Sequence, residues 1–267
     1  MGFDRFVALG DSQTEGLWDG DDETGLAGWA DRLAQRLALD NPDIRYANLA
    51  MRAQRICDVY DRQFRPALAM APDLVGICVG MNDVLGLRGE LAGPLDLMEL
   101  TYRRFAQTGA VVLTTTFPDL RPIFPASRLM YARIERVNER IRLCARRYDL
   151  ALVDLYAAPS MVDLRMWSPD RVHGSSLGHE MFARAAAEAL GLDGADHSWA
   201  QPLASVPTPM PAAVVGVLRR EASWAASELR PWVVRRLRGK STGDGRVARR
   251  PELAPVVLDS TSSQYQR

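Results

Sequence analysis

The stretch that most constrains this chain is Phe6-Val7-Ala8-Leu9-Gly10-Asp11-Ser12-Gln13-Thr14-Glu15-Gly16. A short, uninterrupted apolar run bounded by turn residues reads as a strand buried on both faces, the character of a central strand in a parallel sheet. Here that strand runs into Gly-Asp-Ser, and the carboxyl edge of an open α/β sheet is where functional groups are presented. Ser12 is therefore the candidate nucleophile; its competing use is as a helix N-cap. Asp11 reads as a supporting carboxylate that shapes the turn by accepting backbone N–H groups.

A serine hydroxyl is a weak nucleophile at neutral pH, so it needs a base, a group that orients the base, and donors for an oxyanion. Asp170-Arg171-Val172-His173 sets a carboxylate three residues before an imidazole, close enough in one turn to hold the ring. His179, after Gly178 at a predicted helix start, and His197, in linker-like sequence, are accounted for by packing or capping. Gly80-Met81-Asn82-Asp83 follows the apolar run Leu74 to Val79 and puts a side-chain amide at another strand's end, where a turn-forming asparagine is the alternative. These groups converge only in a doubly wound sheet.

Further strand-like runs at Ile44–Leu49, Ala110–Thr116 and Leu150–Leu155 alternate with helical patterns around Trp29–Leu39, Ile56–Phe64, Leu95–Phe105 and Ser127–Tyr148. A last helix follows Ser175 or Ser176 as its cap. The alternation implies an α/β protein with a parallel sheet covered on both faces. We expect a catalytic domain over residues 1–198 and a proline-rich linker over 199–211. A basic amphipathic helical segment over 212–240 and a flexible polar tail over 241–267 follow.

Lysine plus arginine equals aspartate plus glutamate at 33 each, so no overall field favours nucleic acid. The basic character is local: Trp224, Trp232, Val233 and Leu237 interleave with Arg230, Arg235, Arg236 and Arg238. Peripheral membrane contact is one use of such a segment; packing back on the acidic catalytic domain, or a dimer contact, is the preferred one. The start of the chain lacks a secretory pattern and the three cysteines, Cys57, Cys78 and Cys144, are odd in number, which sets the expectation of a cytoplasmic protein without disulfides. Neither a zinc-ligand spacing nor a glycine-rich phosphate cradle is present, so no metal or organic cofactor is expected.

Four blocks in order, Gly10-Asp11-Ser12 with Thr14-Glu15-Gly16, Asn48 to Ala53, Gly80 to Asp83, and Asp170 to His173, make the chain resemble the SGNH hydrolases, the GDSL esterase/lipase family. The resemblance implies a flavodoxin-like, three-layer α/β/α fold with a five-stranded parallel sheet, here with a C-terminal helical appendage. It implies His173 as general base and an oxyanion hole formed by the N–H of Ser12, the N–H of Ala53 and the amide of Asn82. It implies a serine esterase or lipase acting on a small-molecule or lipid ester: an acyl lipid, a thioester or an acetylated sugar. The family pattern has glycine where this chain has Ala53, an exchange that strains the backbone if φ is positive. That departure motivates the alternative of a weak or inactive binding protein docked through its basic segment. Arg52 beside it is read as solvated, or as a contact for an acidic substrate group.

Overall fold

The computed structural model describes residues 2–23, 25–86, 89–123, 125–204, 243 and 245–258. Six strands, β1 (Arg5–Gly10), β2 (Arg45–Asn48), β3 (Leu74–Cys78), β4 (Val111–Thr115), β5 (Ala151–Val153) and β6 (Arg250–Pro255), form one sheet. The order is β5-β4-β3-β1-β2-β6; the first five run parallel and β6 lies antiparallel to β2. The expected five-stranded parallel sheet is therefore corrected to a six-stranded mixed one. The sixth strand comes from the stretch read as polar tail. Pro251 and Pro255 obscure it, because proline supplies no ladder donor and survives only at an edge, where β6 lies.

Strand β1 is the centre, with Phe6, Val7, Ala8 and Leu9 fully buried. From it the chain moves outward to β2 and then returns across to β3, so the strand order reverses between β1 and β3. That reversal opens a crevice outside the carboxyl ends of the strands. The helices α1 (Ser12–Glu15) and α4 (Met81–Leu85) start there.

Right-handed crossovers place helices on opposite faces according to the direction of travel. On one face, α2 (Trp29–Asp40) packs against α7 (Ser176–Ala189), Trp29 stacking on Phe182 with centroids 4.5 Å apart. On the other lie α3, which runs from Ile56–Asp58 through a π-helical Val59–Phe64 into Arg65–Ala69, α5 (Ala92–Ala106) and α6 (Tyr131–Tyr148). The helix expected from Ser127 begins at Tyr131, because Pro125–Met130 forms a 3₁₀ turn instead. Ser175 caps α7, its hydroxyl accepting the Gly178 N–H at 3.2 Å.

Two buried amides close the ends of central strands. The Gln63 side chain, on the π-helical turn, both accepts the Gly10 N–H (2.9 Å) and donates to the Gly10 carbonyl (2.8 Å). Asn138 holds Phe117 in the same two-bond manner, at 2.8 Å each. Each satisfies backbone groups that the strand ladder leaves behind.

Cys57, Cys78 and Cys144 are free thiols. Trp199 and Ala200, read as the start of the linker, are buried in a 3₁₀ turn, His197–Ala200. The basic segment 212–240 lies outside the described residues. Among the described residues no helix is long and apolar enough to cross a membrane.

Candidate active site

The Gly-Asp-Ser turn owes its shape to its glycine. Gly10 has φ +148°, and a Cβ there would sit 2.1 Å from the Cys78 carbonyl oxygen, so β1 can approach β3 this closely only without a side chain. Asp11, rather than Ser12, caps α1, accepting the Gln13 N–H at 3.1 Å. The Ser12 hydroxyl is thereby released from capping and lies 2.7 Å from Nε2 of His173.

On the other side of the ring, His173 Nδ1 is 2.7 Å from Oδ2 of Asp170. Asp170 is held in turn: Oδ1 accepts from the Ser168 hydroxyl (2.7 Å) and from the N–H groups of Val172 (2.9 Å) and His173 (3.0 Å). Oδ2 also accepts the indole N–H of Trp18 at 2.9 Å. Burial opposes its ionisation, but the hydrogen bond and charge of His173 and the two N–H groups outweigh it and hold the carboxyl well below the usual carboxylate range. An ionised Asp170 requires a proton on Nδ1, which leaves Nε2 free to accept from Ser12.

The amide expected at the second strand end is close by. Gly80, at φ +130°, opens α4, and Asn82 Nδ2 donates to the Gln54 carbonyl at 3.0 Å and, weakly, to Asp11 Oδ2 at 3.3 Å. Burial pushes Asp11 up to about 7, against the Gln13 N–H, the charge of His173 and the Asn82 amide, with Asp83 adding to the rise. A carboxyl that sheds its charge near neutrality is compatible with an anion forming beside it.

Ala53 has φ +66° and sits third in the turn Met51–Gln54, which closes through the Gln54 N–H on the Met51 carbonyl at 3.4 Å. For a residue with a Cβ this costs about 1–2 kcal/mol. Ala53→Gly should therefore raise the unfolding free energy by about 1 kcal/mol. In urea the midpoint should rise with the slope unchanged; a lower midpoint would show that the turn is not strained.

Arg52 requires a correction. It is buried and neither solvated nor open to a substrate, because Glu15 and Asp22 hold its guanidinium. Trp18 on Asp170 and Asp83, which accepts the Ile56 N–H at 3.0 Å, also escape the sequence reading. The available signal was one acid and one base, Glu15 and Arg52, in two successive site blocks.

His179 is fully buried and structural: Nδ1 accepts the Trp29 N–H, and Nε2 donates to the Leu17 carbonyl, both at 3.2 Å. Burial pushes it down to about 4, against the pull of the Leu17 carbonyl and the Asp19 carboxylate. An unfolded chain protonates this ring near 6.5 and the folded one does not, so its contribution is complete above about 6.5 and falls away toward 4. The stability advantage of wild type over His179→Gln should shrink by about 3 kcal/mol across that interval. Denaturant titrations at several pH values read this directly, and a constant difference would place a charged ring in the fold. His197 pairs with Glu188 at 3.0 Å. That pair borders a cleft of about 360 Å³, also lined by Leu152, Asp154 and Trp199, which shares no residue with the Ser12 site.

Among the described residues no group of three or more His, Cys, Asp or Glu side chains is arranged to hold a metal ion. A search of curated proteins gives no match to the chain. Solved structures do match in fold. An α/β hydrolase enzyme, LAE5, from the metagenome of Lake Arreo in Spain is 24% identical, with a TM-score of 0.56 over 70% of this chain and 95% of that one. A catalytic mutant of Axe2, an acetylxylan esterase from Geobacillus stearothermophilus, is 21% identical, with a TM-score of 0.60 over 72% and 97%. A putative GDSL-like lipase from Parabacteroides merdae is 18% identical, with a TM-score of 0.60 over 72% and 97%. The family model of the GDSL-like lipases and acylhydrolases matches residues 8–181, which span all four sequence blocks, and the chain belongs to that family of hydrolases.

Proposed function

We propose that this protein is a serine esterase in which Ser12 attacks an ester carbonyl, His173 takes the Ser12 proton and then delivers it to the leaving oxygen, and Asp170 orients and supports the imidazolium. Water, deprotonated by the same ring, releases the acyl group and restores Ser12. The observation that carries this reading is the pair of 2.7 Å contacts running from the Ser12 hydroxyl through His173 to Asp170. The N–H groups of Ser12 and Ala53 and the Asn82 amide are the proposed oxyanion donors; a neutral amide stabilises the developing charge without competing for the proton. Asn82 serves once its weak bond to Asp11 yields, which a neutral Asp11 makes easier.

Three of the similar acetylxylan esterase structures are of catalytic mutants, altered at a serine, an aspartate and a histidine, the last two three positions apart as Asp170 and His173 are. That parallel supports the roles assigned here and favours a small ester, including an acetylated sugar, as substrate. Hydrolysis of p-nitrophenyl esters of increasing acyl length, alongside acetylated xylan and an acyl-CoA, tests the reading. Turnover is expected with at least the acetyl ester. A folded full-length chain that hydrolyses none of them would favour the alternative of a binding protein, which rests on the strained Ala53.

A further inference from the structure

We propose that the C-terminal segment beginning at Arg246 is a working part of the active site, because through Asp22 and Arg52 it holds the Ala53 N–H in place. The proposal rests on the reading of Ala53 as an oxyanion donor. The Met51–Gln54 turn carries alanine at φ +66° and closes on itself through one long bond, at 3.4 Å, so the contacts around it supply its further support.

The first support is Glu15, the last residue of the helix that starts at Ser12. Its carboxylate accepts the Arg52 N–H at 2.7 Å, Nε at 3.0 and 3.1 Å and Nη2 at 2.9 Å. Both side chains are about nine-tenths buried, so the pair is shielded from solvent and its geometry is fixed. The bond to the Arg52 N–H pins the Met51–Arg52 peptide, one step before the peptide that carries the Ala53 N–H, to the nucleophile's own helix. Arg52 thus acts as a positioning residue rather than touching substrate.

The second support reaches out to the tail. Arg52 Nη2 also donates to Asp22 Oδ1 at 3.0 Å, and Asp22 receives both terminal nitrogens of Arg246, at 3.0 and 2.6 Å. Strand β6 keeps Arg246 in reach. Arg249 binds Asp31 at 2.5 Å, Arg250 lies 3.4 Å from the same carboxylate, and the Leu253 carbonyl accepts from Arg45 at 2.7 Å. The result is a continuous chain, Arg246 to Asp22 to Arg52 to Glu15, from the sheet edge to the turn beside Ser12. Its outer link is half exposed and therefore open to screening by salt; its inner link is not.

Arg246→Ala, made in the full chain, tests this at the exposed end. We expect kcat to fall about fivefold with KM unchanged, the cost of one solvent-facing ion pair. Inhibition by phenylboronic acid, whose tetrahedral adduct on serine places an oxygen at the oxyanion donors, should weaken by the same factor. Arg246→Lys should restore most of the rate. Molar NaCl should bring wild-type kcat down toward that of Arg246→Ala while leaving the variant little changed. A folded Arg246→Ala protein with wild-type kcat, or one that loses rate with no change in boronate inhibition, overturns the proposal while Ser12→Ala is inactive. Wild-type hydrolysis by Ser12→Ala overturns the underlying reading and this proposal together.

Discussion

Ser12→Ala should lower kcat for ester hydrolysis by about 10⁴-fold or more while leaving the protein folded. The size follows from what the hydroxyl is proposed to do: without it no acyl-enzyme forms, and the base and oxyanion donors retain only a small residual catalysis of direct water attack. The fold should tolerate the change because Asp11, rather than Ser12, caps α1, and the neighbouring backbone is anchored through Gly10 by Gln63. Unfolding free energy should stay within about 1 kcal/mol of wild type, as for a small side chain with no backbone role. Steady-state kinetics and a urea titration on the same preparation separate the two effects. Activity within tenfold of wild type would assign the nucleophile elsewhere.

Asp170→Asn should cost about 10³–10⁴-fold in kcat with little change in KM. The carboxylate holds the proton on His173 Nδ1 and sustains the imidazolium that forms when Ser12 gives up its proton. An amide carries no charge, and when its NH₂ faces Nδ1 it selects the wrong tautomer. Ser168, Val172, His173 and Trp18 all donate to the carboxylate, so an NH₂ group on either side also meets donors where acceptors are needed. His173→Gln should be at least as damaging, and the two together no worse than the more severe single variant, because the residues act on one proton. Multiplicative losses in the double variant would mean that the two side chains serve separate steps.

The central strand and the Ser12 turn are legible because both obey strong local rules: an apolar run too short for a helix, and a glycine where no Cβ fits. Asp170 and His173 are legible because three residues of sequence already bring them within reach of each other. Strand β6 is not, since its prolines contradict strand character and its place is decided by an edge of β2 more than 200 residues earlier in the chain. Arg52 and Trp18 escape for a similar reason. Their partners, Glu15 and Asp22 for one and Asp170 for the other, are set by tertiary packing, and a lone arginine or tryptophan in a loop carries no mark of it. The capping role of Ser12 was open in the sequence and is resolved by the residue beside it: the Asp11 side chain accepts the Gln13 N–H, and the Asp11 carbonyl takes the Thr14 and Glu15 N–H groups that a capping Ser12 would serve.

Reaction of the full-length protein with a fluorophosphonate, followed by peptide mass mapping, reports on the Ser12–His173 pair itself. The reagent phosphonylates a serine only where a base takes its proton and donors receive the oxyanion. One label per chain is expected, on Ser12, with the rate strongly reduced in His173→Gln. A folded protein that takes no label, or takes it on another residue, would contradict it.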